Sequence, residues 1–292
     1  MIGIVNAILL SIIVLIVLYP IYFTIIASLS DPYTVVKGKV FLWPKGFTLD
    51  AYKYVFEDER IWRGYRNTIL YTIFGTSFNL FLTIPAAYVL SKKKMAGHGL
   101  LTILFLIPMY FSGGLIPMYL QVKNLQLIDK PWTLVILGGL SIYNMVVART
   151  YYQSSIPGEI YESATIDGAN DFRQFFSLAI PLSAPILAVM ALYYAVGHWN
   201  NYFNAMIYTS SSKLQPLQIE LRSILLLNQT AYDSIADLGL EEEEMEILAR
   251  RAYVAEAMKY SLIFISSAPM LIAYPFLQRF FIKGMMIGSL KG

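Results

Sequence analysis

The sequence predicts an all-α integral membrane protein with about six membrane-crossing helices, and three observations predict it. Hydrophobic residues fill 57% of the 292 positions and charged residues only 14%, with a mean hydropathy of +0.56. A soluble domain carries about 25% charge, and a single soluble core cannot hide this much apolar surface. The apolar residues gather into six long runs that hold no Asp, Glu or Lys, and whose one Arg, Arg279, lies close to the end of the last. A charge at the centre of a spanning helix costs about 2.5–3.5 kcal/mol on insertion scales.

The first run, Ile4 to Leu29, exceeds the roughly 20 residues that cross a bilayer. A signal-peptide core has about 7–15 residues behind a positive charge; here the run is longer and no basic residue precedes it, so a retained helix is expected. The other runs are Thr68–Leu90, Leu100–Leu120, Pro131–Ala148, Ala184–Tyr208 and Tyr260–Ile282. The third is interrupted by Pro108, Gly113-Gly114 and Pro117, the fifth begins near Pro181 and Pro185, and the sixth contains Pro269 and Pro275. Proline removes a helix hydrogen bond, and such breaks persist at membrane depth where protein or a watery cavity re-satisfies the backbone. The Gly113-Gly114 break is either an ordinary kink or part of a pathway lining.

Six crossings put both termini on one side. The short basic loop Ser91–His98, with Lys92-Lys93-Lys94, is expected in the cytoplasm. That leaves Asp31–Asn67, Gln121–Lys130 and Thr209–Lys259 outside, although the first of these also holds seven Lys and Arg residues (Lys37, Lys39, Lys45, Lys53, Arg60, Arg63, Arg66). Within the last, Leu238–Lys259 has helical apolar spacing, with Glu241–Glu244 early and Arg250-Arg251 late, as a helix dipole prefers. It reads as a solvated amphipathic helix or as a docking element for an extracytoplasmic partner.

Composition also excludes chemistry. The absence of cysteine removes disulfides, thiolate metal sites and cysteine nucleophiles. The two histidines, His98 and His198, lie far apart in sequence, no His-Glu-x-x-His is present, and no cofactor is called for. A net charge of +3 without basic runs among exposed aromatics argues against nucleic acid.

One segment is specific. Ser155 to Pro181 reads SIPGEIYESATIDGANDFRQFFSLAIP, a helix, a sharp turn and a second helix. Ser155 is expected to cap the first helix, with Pro157 in its opening turn. Gly168 suits the left-handed closing position. The second helix should carry Phe172, Phe175, Phe176 and Ala179 on one side and end at Pro181. Glu159, Glu162, Asp167 and Asp171 make the segment acidic, which suits a protein partner with basic groups better than an anionic membrane.

This segment resembles the EAA loop of ABC-importer permeases: Glu-Ala-Ala, three residues, Gly, nine residues, Ile, one residue, Leu-Pro. Glu162, Ala164, Gly168 and Pro181 match in register, while Ser163, Leu178 and Ile180 are mild departures. Asp167-Gly168-Ala169 is similar to the version found in carbohydrate importers, and the C-terminal residues from Gln278 resemble the ending of the maltose-type second permease. Leu221–Leu225, Asn228–Thr230 and Ala249–Ala252 resemble the branch for polysaccharide-derived oligosaccharides.

The resemblance implies a type I ABC importer permease fold. Residues 1–66 would hold the first span and an extracytoplasmic segment, 67–282 the transmembrane core with the coupling loop at 154–182, and 283–292 a cytoplasmic tail. It also implies a second homologous permease, two cytoplasmic ATPase subunits, an extracytoplasmic solute-binding protein, a carbohydrate substrate and a bacterial cell membrane. Glu162, Ser163, Ala164, Asp167, Gly168 and Ala169 would contact the ATPase. The chain lacks a Gly-x-x-x-x-Gly-Lys-Ser/Thr phosphate loop, consistent with ATP hydrolysis in other subunits.

For the substrate path the fifth run offers Tyr194, Trp199, Asn200, Asn201 and Tyr202, with Asn79 and Asn144 as weaker candidates. Polar groups within a span usually face an interior, but Trp and Tyr also form interfacial belts and Asn bridges packed helices. An ABC permease for another solute is the nearest alternative. An ion-coupled transporter, a different class, normally needs intramembrane carboxylates or half-helices around its ion, and the six runs hold no Asp or Glu.

Overall fold

The computed structural model describes residues 2–235 and 258–275, and every helix or strand element among them is helical. The chain divides into two units. The first takes residues 2–65 with 217–235 and 258–271; the second takes 66–216 with 272–275.

In the first unit, α1 (Ile2–Ser28) leads through a loop containing α2 (Pro32–Val36) to α3 (Asp50–Glu57) and the start of α4 (Glu59–Ser91). Asp31 caps α2 by accepting the Thr34 N–H at 3.3 Å, with Pro32 opening the helix. The side chains of α1 are exposed from Gly3 to Tyr22, as an apolar helix made for lipid would be. Arg63 and Glu220 pair at 3.3 Å with Glu220 3% exposed, and the Tyr65 hydroxyl donates to the Ile265 carbonyl at 2.5 Å.

The second unit carries the remainder of α4, then α5 (His98–Tyr110), α6 (Leu115–Asn124), α7 (Thr133–Ile136), α8 (Ile142–Ser154) and α9 (Gly158–Ile166). α10 (Asp171–Leu182), α11 (Ala184–Trp199) and α12 (Phe203–Tyr208) follow. α13 (Leu217–Ile235) and the helical residues 258–275 (α14) complete the order. The core of this unit joins Ile84, Ala87 and Tyr88 of α4 to Met145, Ala148 and Tyr152 of α8 and to Ala179, Ile186 and Met190 of α10 and α11.

Among the described residues two helices, Gly3–Ser28 and Glu59–Ser91, are each long and apolar enough to cross a membrane. Two bent pairs among the described residues, α5 with α6 at 113° and α10 with α11 at 78°, raise the number of candidate spans to four if each pair is one span. The expected runs are therefore more broken than hydropathy suggests. The third breaks between Tyr110 and Leu115, at Gly113-Gly114. The fourth is split into α7 and α8 by a turn at Gly138, where φ is +73°. The fifth ends its helix at Trp199 and resumes at Phe203. α4 begins at Glu59, earlier than the expected Thr68, because its amphipathic first turns pack within the first unit.

Three local expectations are corrected. Ser155 terminates α8 and does not cap α9; Pro157 holds that N-terminal position, with no side-chain cap. The second helix of the motif continues through Pro181 to Leu182, containing a π-helical turn at Phe175–Ala179. The wide turn shifts the helical register, so the four-residue stripe divides. Ala179 is buried and Phe175 packs on the core, but Phe172 is 77% and Phe176 62% exposed. The expected helix at 238–259 falls, apart from 258–259 at its end, outside the described residues, as do the final part of the sixth run and the tail.

Candidate functional site

The acidic motif forms an elbow between α9 and α10. Glu159 lies in the first turn of α9, where the helix dipole favours negative charge. α9 closes on Gly168 at φ +78°. The Gly168 N–H reaches the Thr165 carbonyl at 3.0 Å and the Ala169 N–H reaches the Ala164 carbonyl at 2.9 Å. These are the two bonds of a Schellman closure, which leaves the residue after the cap left-handed. Asn170 then caps α10 by accepting the Arg173 N–H at 2.9 Å.

Gln174, which the sequence did not single out, holds the bend. It is 4% exposed, and its amide N–H groups donate to Thr165 Oγ1 at 2.9 Å and to the Ala169 carbonyl at 3.1 Å. Lys92, just beyond α4, reaches the same place. Its ammonium donates to Gln174 Oε1 at 3.3 Å and to Asp171 at 2.5 Å. It also lies 4.8 Å from the Tyr88 ring centroid and 5.7 Å from that of Tyr161. Burial opposes the charge on Lys92, but the Asp171 and Tyr88 contacts outweigh it and raise its pKa. Asp171 is 81% exposed, so that ion pair contributes only about 0–1 kcal/mol. The buried amide and the two rings matter more. A cavity of about 520 Å³ beside this junction is lined by Lys92, Lys93, Lys94, Tyr161, Glu162 and Asp171.

Of the six residues expected to meet a partner, Glu162, Ser163, Asp167 and Gly168 are exposed, Ala169 is half-buried, and Ala164 is buried under the elbow. Beside them Ile166 is 87% exposed. The elbow thus presents carboxylates, a bare glycine and large apolar side chains together.

The second cluster lies where α4 meets α11. Asn79, 1% exposed, donates from its amide nitrogen to the Gly138 and Gly139 carbonyls at 3.0 and 2.8 Å. That fixes its Oδ1 toward His198 Nε2, 2.6 Å away; an oxygen can only accept, so Nε2 carries the proton. The His198 ring fits because residue 75 is glycine: a Cβ there would fall inside contact distance of the ring. Nearby, Tyr194 accepts the Ser141 N–H at 3.3 Å and bonds Thr83 Oγ1 at 2.7 Å.

Past this crossing the helix opens. Asn200 is exposed, and Asn201 and Tyr202 are half-buried in the three-residue break. Tyr194 and Trp199, 7% and 5% exposed, are packed in the crossing and not grouped with the open turn. Asn144 is buried at the start of α8, where its N–H meets the Ser141 cap. Among the described residues no group of His, Asp or Glu could hold a metal ion.

Comparison with known proteins matches residues 61–287 to the family described as the binding-protein-dependent transport system inner membrane component. Protein LplC of Bacillus subtilis (strain 168) is 38% identical over 277 residues, 95% of this chain and 90% of its own length. The polygalacturonan/rhamnogalacturonan transport system permease protein YtcP of the same organism is 35% identical over 278 residues, covering 95% and 94%. A crystal structure of a bacterial ABC transporter involved in the import of the acidic polysaccharide alginate includes a chain that superposes with a TM-score of 0.83. It is 35% identical, with 96% of each chain covered. With its helical fold, its elbow and these relatives, the chain belongs to the inner-membrane permease components of binding-protein-dependent ABC transport systems.

Proposed function

We propose that this permease serves an ATP-driven importer of oligosaccharides, working beside a second related permease, two cytoplasmic ATPase subunits and an extracytoplasmic solute-binding protein. ATP hydrolysis resides in the separate subunits. Six crossings are assigned to α1, α4, α5–α6, α7–α8, α11–α12 and the helix that includes 258–275, with both termini in the cytoplasm. Residues 1–66 form the first span and outer segment, 67–282 the transmembrane core, and 283–292 the tail.

The observation that carries the proposal is the elbow. Exposed Ile166 and Phe172 beside Glu162 and Asp167 suit burial against another protein. Gly168 permits close backbone approach, and the elbow is rooted through Gln174 and Lys92 in α4. Closure of the ATPase pair would push the elbow and rock the spanning helices between inward- and outward-facing states. Asn200, Asn201 and Tyr202 supply hydrogen bonds and an aromatic face to the sugar path, while buried Trp199 and Tyr194 pack the helix that leads to them. The relatives that act on polygalacturonan, rhamnogalacturonan and alginate support an oligosaccharide substrate.

The test is uptake of labelled oligosaccharides into proteoliposomes holding the whole complex. Uptake should need internal ATP and external binding protein, and survive an uncoupler. Uptake that needs no ATP and collapses with the uncoupler overturns the proposal. Single cysteines at Lys93 and Asp171 should be shielded from an impermeant thiol reagent applied outside, and one at Lys130 should react. Labelling of Lys93 from outside reverses the topology.

A further inference from the structure

The loop after α1 does not simply project away from the helix. Its base is tied at 29–31: the Asp31 N–H reaches the Lys45 carbonyl at 2.9 Å, the Lys45 N–H reaches Ser30 Oγ at 3.1 Å, and the Thr48 N–H reaches the Leu29 carbonyl at 3.1 Å. Its tip returns alongside α1. Val40 is 3% exposed in a cluster with Ile26, Ala27 and Phe23. The Tyr19 hydroxyl donates to the Phe41 carbonyl at 3.3 Å, and the Tyr22 hydroxyl to the Leu42 carbonyl.

Those bonds set a depth. From Ser28 back to Tyr19 the helix axis advances about 13–14 Å, at 1.5 Å per residue. A tyrosine hydroxyl reaches about half that distance from its Cα, so the tip sits several ångströms or more below the end of α1. The apolar run of α1 is about 39 Å long, against a hydrocarbon core of about 30 Å. The excess is only about 4–5 Å at each end, so the tip reaches the hydrocarbon boundary. There its side chains are open: Phe41 is 65%, Leu42 62% and Trp43 75% exposed, with Phe47 at 68%. Lys39 and Lys45 flank them, both exposed and neither forming an ion pair among the described residues.

We propose that residues 39–47 form a wedge in the outer leaflet, with Phe41, Leu42 and Trp43 among the acyl chains and Lys39 and Lys45 at the phosphates of anionic lipids. This rests on α1 spanning the membrane. Aromatic side chains favour that boundary, and lysines are drawn to an anionic lipid surface. The wedge fixes the depth and azimuth of α1 while other helices move.

The native chain has no cysteine, so Trp43→Cys can carry an environment-sensitive fluorophore in the assembled complex, in nanodiscs containing phosphatidylglycerol. Val14→Cys and Ile16→Cys serve as depth references; they lie about 200° apart around α1, so one meets lipid whatever packs on the other. Label at position 43 should be quenched at least twofold more by lipid with a nitroxide near the headgroup than by one near the chain end, and be shielded from iodide. Replacing phosphatidylglycerol with phosphatidylcholine should reduce that quenching in the Trp43→Cys chain but not in Lys39→Gln/Lys45→Gln/Trp43→Cys. Iodide quenching at 43 while a reference site stays lipid-quenched overturns the wedge alone, as does shielding from both quenchers, which would mean a protein cover. Loss of lipid quenching at both reference sites overturns the span of α1 and the wedge with it.

Discussion

Replacing Gly168 separates the two demands placed on the elbow. Its φ of +78° disfavours any side chain, and a Cβ built there meets nothing within 4 Å. In the isolated chain the cost is therefore purely conformational, about 1–2 kcal/mol for Ala, more for a β-branched residue and less for Asn, which tolerates the left-handed region. Backbone strain alone ranks the variants Gly, Asn, Ala, Val from mildest to worst. A close partner surface reverses the middle pair, because Asn adds bulk where Ala adds one methyl.

We expect the reversed order in ATPase co-purification and in stimulation of ATP hydrolysis by loaded binding protein. Gly168→Asn should lose at least tenfold in ATPase affinity, a change of about 1.4 kcal/mol, while the thermal midpoint of the permease without ATPase moves by no more than a few degrees. Gly168→Val should insert normally and fail to transport. If Gly168→Asn couples better than Gly168→Ala, the glycine serves the turn and nothing packs against it, and the coupling mechanism loses its main support.

Three further outcomes follow from named contacts. Lys92→Met keeps a long apolar stem but loses the ammonium shared by Gln174, Asp171 and two rings; transport per ATP hydrolysed should fall while assembly persists, measured in proteoliposomes. Gly75→Ala should displace the His198 ring and break its bond to Asn79, costing about 1–3 kcal/mol, read as a lower thermal midpoint and slower uptake. Asn200→Ala and Tyr202→Ala should reduce uptake with basal ATP hydrolysis unchanged; unaltered transport in the double variant would make the break a packing feature.

The hydropathy of the chain displayed its long helices, since lipid demands uninterrupted apolar residues wherever a helix faces it. The closing role of Gly168 was equally legible, because few residues other than glycine end a helix in a left-handed turn cheaply. The interruptions were not. Leu137–Ser141 is apolar enough to extend a span, and its unwinding depends on Asn79, more than fifty residues earlier, accepting the task of capping two freed carbonyls. Ser155 looked like a cap because serine favours helix starts, yet it falls at the end of α8, where its N–H still bonds Tyr151. Pro181 looked like a stop because a straight helix cannot accommodate it; the π turn just before it lets the chain continue. Lys92 carried a topological meaning in sequence, and only folding brings it to Gln174.

α4 joins the two clusters. Lys92 follows its last residue and grips the elbow, while Asn79 grips His198 near the opening after Trp199. Along the helix those positions are about 20 Å apart. α4 is one continuous helix through Pro85; if it moves as one body, a tilt imposed at the elbow would displace Asn79, and with it the end of α11. Links in series have a distinct signature: once one is cut, cutting the other adds little. The double variant Lys92→Met/Gly75→Ala should therefore transport per ATP no worse than the poorer single variant, whereas independent contributions would multiply. Multiplied losses would show that elbow and polar crossing act separately, and that α4 is not the element carrying motion between them.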